Sequence, residues 1–134
     1  MFLLLFSGFL FIGCQSQNQT SSGDKAVLKP EKNDEGEWDI AVFDSQYDLF
    51  LASRARPISM YNEEVLKMRN TALVSEWNGY FYSGRYRNII ESAIDYSPTE
   101  NYGLQFEYKL YQVFAFVNWK YRLRLKALPL SEVR

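Results

Sequence analysis

One stretch of the chain has a large hydrophobic residue at every second position, and this pattern predicts its first strand. Trp38, Ile40 and Val42 fall on the same side of the alternation. A period of two is typical of a β-strand, because successive side chains point to opposite faces of a sheet. We therefore predict a strand over 38–43.

Hydrophobic residues then recur at spacings of three and four, which predicts a short helix. Tyr47, Phe50 and Leu51 would share one face of this helix. Pro57 follows the pattern, and because proline cannot continue a helix, we expect the helix to end before it.

A longer helix is predicted to begin after Asn62, an N-cap residue followed by two glutamates that suit the positive end of the helix dipole. Asn78-Gly79 predicts its end, because glycine often adopts the left-handed conformation that stops a helix. The pattern over 80–86 favours neither a helix nor a strand. The apolar stripe of this helix consists of Val65, Leu66, Ala72, Leu73 and Trp77.

A second long helix is predicted to begin at Ser97-Pro98-Thr99-Glu100, which has the spacing of a capping box with proline at the first helical position. Gly103 costs a helix about 1 kcal/mol relative to alanine, so we expect a kink or a restart near Leu104. The helical spacing then continues through Tyr108, Tyr111, Phe114, Ala115 and Asn118.

The last segment returns to a period of two, with basic residues alternating with hydrophobic ones over 120–126. This pattern predicts an edge strand with a charged outer row, which can pair with the strand over 38–43. Together the elements predict a helix-rich α+β fold. We expect a single small domain over 37–134, with two principal helices and a short two-stranded sheet.

An apolar run over 2–13 and the cysteine that follows it predict a lipoprotein signal. The run is shorter than the about 20 residues that span a bilayer as a helix, and it suits the hydrophobic region of a secretory signal. Phe11-Ile12-Gly13-Cys14 resembles the bacterial lipobox, whose cysteine is diacylated on sulfur before cleavage and acylated on its new amine afterwards, with fatty acids such as palmitate. We expect a signal peptide over 1–13 and a lipidated Cys14 that opens a polar, disordered tether over 14–36. The alternative is a buried N-terminal segment with Cys14 as a core thiol.

The composition excludes several kinds of chemistry. The 134 residues include no histidine and one cysteine, which removes histidine-based triads and the common zinc sites. The net charge of the chain is −1. Acidic residues outnumber basic ones over 37–98 and basic residues outnumber acidic ones over 99–134, as expected for two parts of one domain that pack together. We therefore expect no metal, no cofactor and no nucleic-acid partner.

An aromatic cluster is the first candidate binding surface, because tyrosine and tryptophan combine a large contact area with a polar tip. Packing of the same rings into the core is the competing interpretation. The cluster consists of Trp77, Tyr80, Phe81, Tyr82 and Tyr86.

A second candidate surface depends on where the second long helix begins. If that helix begins only after Gly103, the preceding residues form an ordered loop, and loops commonly carry binding residues. The candidates in that loop are Asp95, Tyr96, Asn101 and Tyr102.

Four segments of the folded part carry a resemblance to a known family. The segments are Val74-Ser75-Glu76-Trp77-Asn78, Ile94-Asp95-Tyr96, Tyr102-Gly103-Leu104 and Tyr108-Lys109-Leu110-Tyr111. They resemble a family of small, uncharacterised lipoproteins of Bacteroidota that is defined only as a domain of unknown function. The resemblance implies a location in the cell envelope and a single fold, and it implies no chemistry. The family pattern has an acidic residue where this chain has Asn101.

We expect a non-catalytic lipoprotein, anchored to the outer membrane of a bacterial cell envelope, that binds an envelope protein or a glycan or serves in an assembly. Which side of that membrane it faces is left open. The alternative is a glycan hydrolase that uses two carboxylates on either side of the scissile bond. Glu76, Asp95 and Glu107 are its candidates, because they lie among aromatic residues.

Overall fold

The computed structural model describes residues 28–132, which form one small α+β domain as the sequence predicts. Its elements in chain order are β1 (Leu28–Lys32), β2 (Trp38–Val42), α1 (Ser45–Ser53), α2 (Glu63–Ser83) and α3 (Leu104–Tyr121). Short 3₁₀ turns at Ile58–Met60 and Leu130–Glu132 complete the described part. No helix in this part is both long enough and apolar enough to span a membrane.

The helix α3 is the centre of the domain. The helix α2 packs along it, while β2 and α1 contact it from other sides. Every residue over 110–118 is buried, and a helix buried on all sides must be hydrophobic around most of its circumference. The nitrogens of its two buried amides have partners, since Gln112 Nε2 donates to the Tyr61 hydroxyl at 3.2 Å and Asn118 Nδ2 donates to the Leu123 carbonyl at 3.1 Å. The oxygen of Asn118 is buried without a hydrogen-bond partner.

The strands β1 and β2 form an antiparallel hairpin. The Asn33 side chain closes its turn by accepting the N–H groups of Glu35 and Glu37 at 3.0 and 2.9 Å. Gly36 takes a φ of +78° there, a conformation that glycine adopts without a steric penalty.

Both edges of this sheet contain a residue that interrupts backbone pairing. Pro30, opposite Ile40 in the middle of β1, has no N–H to donate. On β2, the Ile40 N–H donates to the Asp39 carboxylate at 2.8 Å. Burial alone would raise the pKa of Asp39, but its bonds to Lys109, at 2.6 Å, and to Ile40 outweigh burial and lower that pKa. The Asp39 carboxylate therefore occupies the outer edge of β2 and ties it to α3.

The first strand lies inside the segment predicted to be a tether, so the predicted domain boundary at residue 37 is wrong. Leu28 is only 3% exposed and belongs to the hydrophobic core. The sequence hides this strand, because Pro30 counts against a strand and Leu28 is its one large hydrophobic residue. The remainder of the predicted tether, over 14–27, lies outside the described residues.

The predicted edge strand over 120–126 is also wrong, since α3 continues to Tyr121 and β1 takes the place beside β2. Lys120 and Tyr121 reach the buried carboxylate of Asp44, at 2.7 and 3.0 Å, and Asp44 caps the start of α1. After Arg122, an irregular segment alternately buries leucines and exposes charged residues. That alternation imitates the period of a strand.

The long helix α2 begins at the predicted cap, where Asn62 accepts the N–H groups of Glu64 and Val65 at 2.9 and 3.3 Å. Its predicted end at Asn78-Gly79 is wrong, since the helix runs to Ser83. The Asn78 amide points to the Ile94 backbone, donating to its oxygen at 3.0 Å and accepting from its nitrogen at 2.8 Å. Asn78 therefore anchors the following loop and does not stop the helix.

The capping box at Ser97 is wrong, whereas the restart near Leu104 is confirmed. The Ser97 hydroxyl bonds to Thr99 Oγ1 at 2.9 Å, and the Glu100 N–H bonds to the Ser97 carbonyl in a turn. The helix α3 begins at Leu104 after Gly103, whose φ is +88°. The segment between α2 and α3 is therefore an ordered loop, which is the condition under which the second candidate surface exists.

Candidate functional site

An open cleft of about 350 Å³ lies between the hairpin turn and the start of α3. The turn and the first residue of β2 form one wall, and the end of the α2–α3 loop with the first turn of α3 forms the other. The cleft is lined by Gly36, Glu37, Trp38, Asn101, Tyr102, Gly103, Leu104 and Gln105.

Gly103 shapes the floor of the cleft. Its positive φ turns the chain into α3, and no side chain caps the helix there. The first N–H groups of a helix have no partner within it, so those of Leu104 and Gln105 lie beside the cleft with donor capacity. The side chains of Asn101 and Gln105 are both exposed and add amide donors and acceptors.

Stacked aromatic rings form the back of the cleft. Tyr102 stacks on Phe106 with ring centroids 4.3 Å apart and on Tyr96 at 5.2 Å. Trp38 meets this stack edge to face, 5.1 Å from Tyr102 and 6.3 Å from Phe106. Such aromatic pairs add about 0.5–1.5 kcal/mol each beyond their buried area. They join β2 to the α2–α3 loop.

Hydrogen bonds to Glu107 hold the stack from below. The Tyr96 hydroxyl donates to both carboxylate oxygens of Glu107 at 3.2 Å, and Asn70 Nδ2 donates to Oε2 at 2.7 Å. Burial raises the pKa of Glu107, and these donors only partly offset it. Burial also raises the pKa of Tyr96, so its phenol stays protonated and able to donate at neutral pH.

Two further bonds fix the loop that carries Asn101. The Tyr102 hydroxyl accepts the Ser97 N–H at 2.9 Å, and Lys67 Nζ donates to the Glu100 carbonyl at 2.8 Å. Because the loop is tied at both points, the wall of the cleft is formed before any ligand arrives, which lowers the entropic cost of binding.

The three candidate carboxylates of the hydrolase alternative have different surroundings. Glu107 is fully buried and bonded as described above. Glu76 accepts the backbone N–H groups of Lys126 and Ala127 at 2.7 and 2.9 Å, which holds the C-terminal segment against α2. Asp95 is exposed and does not line the cleft. This arrangement gives the hydrolase alternative no support, because its mechanism needs two carboxylates that face one open site.

The predicted aromatic cluster divides between the core and two surfaces. Trp77 is fully buried, and its indole N–H donates to the Ser92 carbonyl at 2.9 Å, so it is a core residue and not a binding residue. The Tyr80 ring packs against Tyr86 at 5.0 Å. Phe81 and Tyr82 line a separate open cleft of about 430 Å³ beyond the end of α2.

The candidate residues of the α2–α3 loop differ in where they lie relative to the cleft. Asn101 and Tyr102 line the cleft, Tyr96 supports it from behind, and Asp95 lies outside it. Trp38 and Gln105 also line the cleft, and neither was predicted as a site residue. Neither residue has a sequence signal of its own, because Trp38 fits the pattern of a strand and Gln105 lies within a helix.

Cys14 and the predicted signal over 1–13 lie outside the described residues. Within 28–132, no three acidic side chains are grouped in a way that could hold a metal ion.

No curated protein and no solved structure matches the chain. One family model matches residues 1–133, which is nearly the whole chain. The protein therefore belongs to the family of unknown function DUF6146.

Proposed function

We propose that this protein is a non-catalytic lipoprotein of the bacterial cell envelope, of the kind found in Bacteroidota, whose folded domain is a binding module. The observation that carries the proposal is the composition of the cleft beside the hairpin. Its walls consist of aromatic rings, side-chain amides and backbone groups, and Glu37 is the one charged residue among the described residues that line it. Apart from Glu37, these groups recognise ligands but do not transfer protons near neutral pH.

The envelope part of the proposal rests on the N-terminal sequence. A hydrophobic run of signal length precedes Cys14, and a polar segment follows it. Fatty acids on Cys14 would keep the domain close to a membrane surface.

Lipidation is tested by metabolic labelling with an alkyne analogue of palmitate. We expect the wild type to take up the label and to fractionate with membranes, and Cys14→Ser to do neither. Ser16→Ala is the matched control, since it changes a neighbouring small polar residue and should leave both results as in the wild type. Absence of label on the wild type, with unchanged fractionation of Cys14→Ser, would contradict the anchor.

Binding is tested by co-sedimentation of the protein with purified envelope fragments of its source bacterium. We expect retention that falls in Asn101→Ala, which removes an amide from the cleft. Asn88→Ala is the control, because Asn88 is also exposed but lies in the turn after α2 and does not line the cleft. Equal retention of the two variants would argue against the cleft as the binding site.

A further inference from the structure

We infer that the cleft binds an uncharged sugar ring, with one face of the ring on Trp38 and its hydroxyl groups on the amides of Asn101 and Gln105. This inference rests on the proposed function, because it names the ligand class of the same binding site. Four features support it: the partial exposure of the Trp38 ring, the polar groups around it, the charge of the cleft and the position of Lys32.

Trp38 provides the aromatic surface. Tyr102 already stacks on two other rings, so it turns mainly an edge toward the cleft. The Trp38 ring is held in place by edge contacts with Tyr102 and Phe106, yet it remains partly exposed. The face of a sugar ring that carries C–H bonds is apolar and flat, and it packs against an indole face in the same way that aliphatic groups do.

The polar groups suit hydroxyls. A sugar hydroxyl both donates and accepts, and a primary amide offers both functions in return. Asn101 and Gln105 present such amides on the same wall of the cleft, next to the first N–H groups of α3. A phosphate or carboxylate ligand would use only the amide donors and would leave both amide oxygens bonded to water.

The charge of the cleft opposes an anionic ligand. Glu37 contributes a negative charge to the lining, and none of the residues that line the cleft is basic. An anionic sugar would therefore meet the Glu37 carboxylate with no basic side chain in the lining, and the nearest cation, Lys32, lies outside the lining over the Trp38 ring. The volume of about 350 Å³ lies near the lower limit for small-molecule sites, which suits one or two sugar rings.

Lys32 competes with the ligand for Trp38. The two residues are cross-strand neighbours, and Lys32 Nζ lies 5.1 Å from the centroid of the indole ring. Lys32 is exposed, so its contact with the ring is weak and a sugar can displace it. Removing the ammonium should strengthen sugar binding by about 2–5-fold, because the ligand no longer displaces a cation from the ring.

The test is an NMR titration of the full chain with uncharged tetrasaccharides of the chito-, cello-, malto- and manno-series, and with tetragalacturonate as the anionic counterpart. The three indole N–H signals are assigned with Trp38→Phe. We expect a neutral tetrasaccharide to shift the Trp38 signal and to leave that of Trp77 in place, since the Trp77 indole is bonded to Ser92 in the core.

The variants test the geometry without disturbing the core. Asn101→Ala and Gln105→Ala should each weaken binding by about 2–10-fold. Lys32→Ala should strengthen it, whereas Asn88→Ala should leave it unchanged. These residues are all exposed, so the variants keep the inference falsifiable even if Trp38→Phe folds poorly.

Two results would overturn the inference: no shift of Trp38 with any neutral tetrasaccharide, or tighter binding of tetragalacturonate. If retention on envelope fragments depends on Asn101 but no sugar binds, the inference of a sugar ligand is wrong and the proposed binding function stands. Loss of both would remove the proposed binding function as well.

Discussion

Replacing Trp77 by alanine should be among the most damaging single changes in this domain. The side chain is fully buried, meets Phe114 edge to face at 5.9 Å and donates its indole N–H to Ser92. It therefore joins α2 to α3 and, through Ser92, to the segment after α2. Its removal leaves a cavity in the centre of the core and a carbonyl without its partner.

The expected loss follows from these contacts. Removing a buried tryptophan or phenylalanine side chain costs about 3–5 kcal/mol, including the cavity that remains. Domains of this size unfold with a total of about 5–15 kcal/mol, so the variant should be marginally stable or unfolded at 37 °C. With a urea m-value of about 1–3 kcal/mol per M, the midpoint should fall by more than about 1 M.

The measurement is urea unfolding followed by circular dichroism, because removing a tryptophan alters the fluorescence signal itself. Trp119→Ala is the matched control, since Trp119 is partly exposed and should cost less. A loss below about 1 kcal/mol for Trp77→Ala, with the fold intact, would refute the placement of this ring in the core.

Three further predictions concern stability and can be checked by the same unfolding measurements. Asn62→Ala should cost about 1 kcal/mol, because the N–H groups of Glu64 and Val65 lose their acceptor, and an unchanged midpoint would contradict the cap. Gly79→Ala should stabilise the domain by about 0.5–1 kcal/mol, since the added carbon in this helix meets open space. Gly84→Ala should destabilise it by about 1–2 kcal/mol, because φ is +73° there. If both variants changed the unfolding free energy in the same direction, the assigned end of α2 would be wrong. Burial raises the pKa of Glu107, so its contribution to stability is greatest below pH 4.5 and falls as the pH rises through the folded pKa. The unfolding free energy of the wild type minus that of Glu107→Gln should therefore decrease from pH 4.5 to pH 7. An increase of this quantity would show that the pKa is lowered instead.

The helices were predicted well where local chemistry decides the structure. Asn62 marks the start of α2 by a cap, and Tyr47 and Phe50 mark α1 by their spacing; both depend on near neighbours in the chain. The end of α2 was not predictable in this way, because the role of Asn78 is set by Ile94, a partner in a different segment.

The sheet was the least predictable element, since a strand is stabilised by a partner that can be distant in the sequence. Pro30 and the charged residues of β1 argue against a strand when read alone. In the folded domain, pairing with β2 and the burial of Leu28 outweigh those preferences.

Only one wall of the candidate site, the wall formed by the loop before α3, was predicted from the sequence. Asn101 and Tyr102 could be found from the sequence, because they depend on an exposed loop before α3. Trp38 could not, because it joins them only through packing between β2 and that loop. The sequence patterns around Trp38 describe a strand and carry no information about the ring it will meet.

The interrupted edges of the hairpin limit how this protein can associate with copies of itself. The open edge of a small sheet is a template for strand addition and fibril growth. Under the proposed lipid anchor this matters more, because proteins held on a membrane encounter one another more often than proteins in solution. Pro30 removes a donor from one edge, and the Asp39 carboxylate takes the Ile40 N–H on the other. At these two positions the sheet therefore resists extension from one molecule to the next, which favours assembly of the described domain through side-chain surfaces.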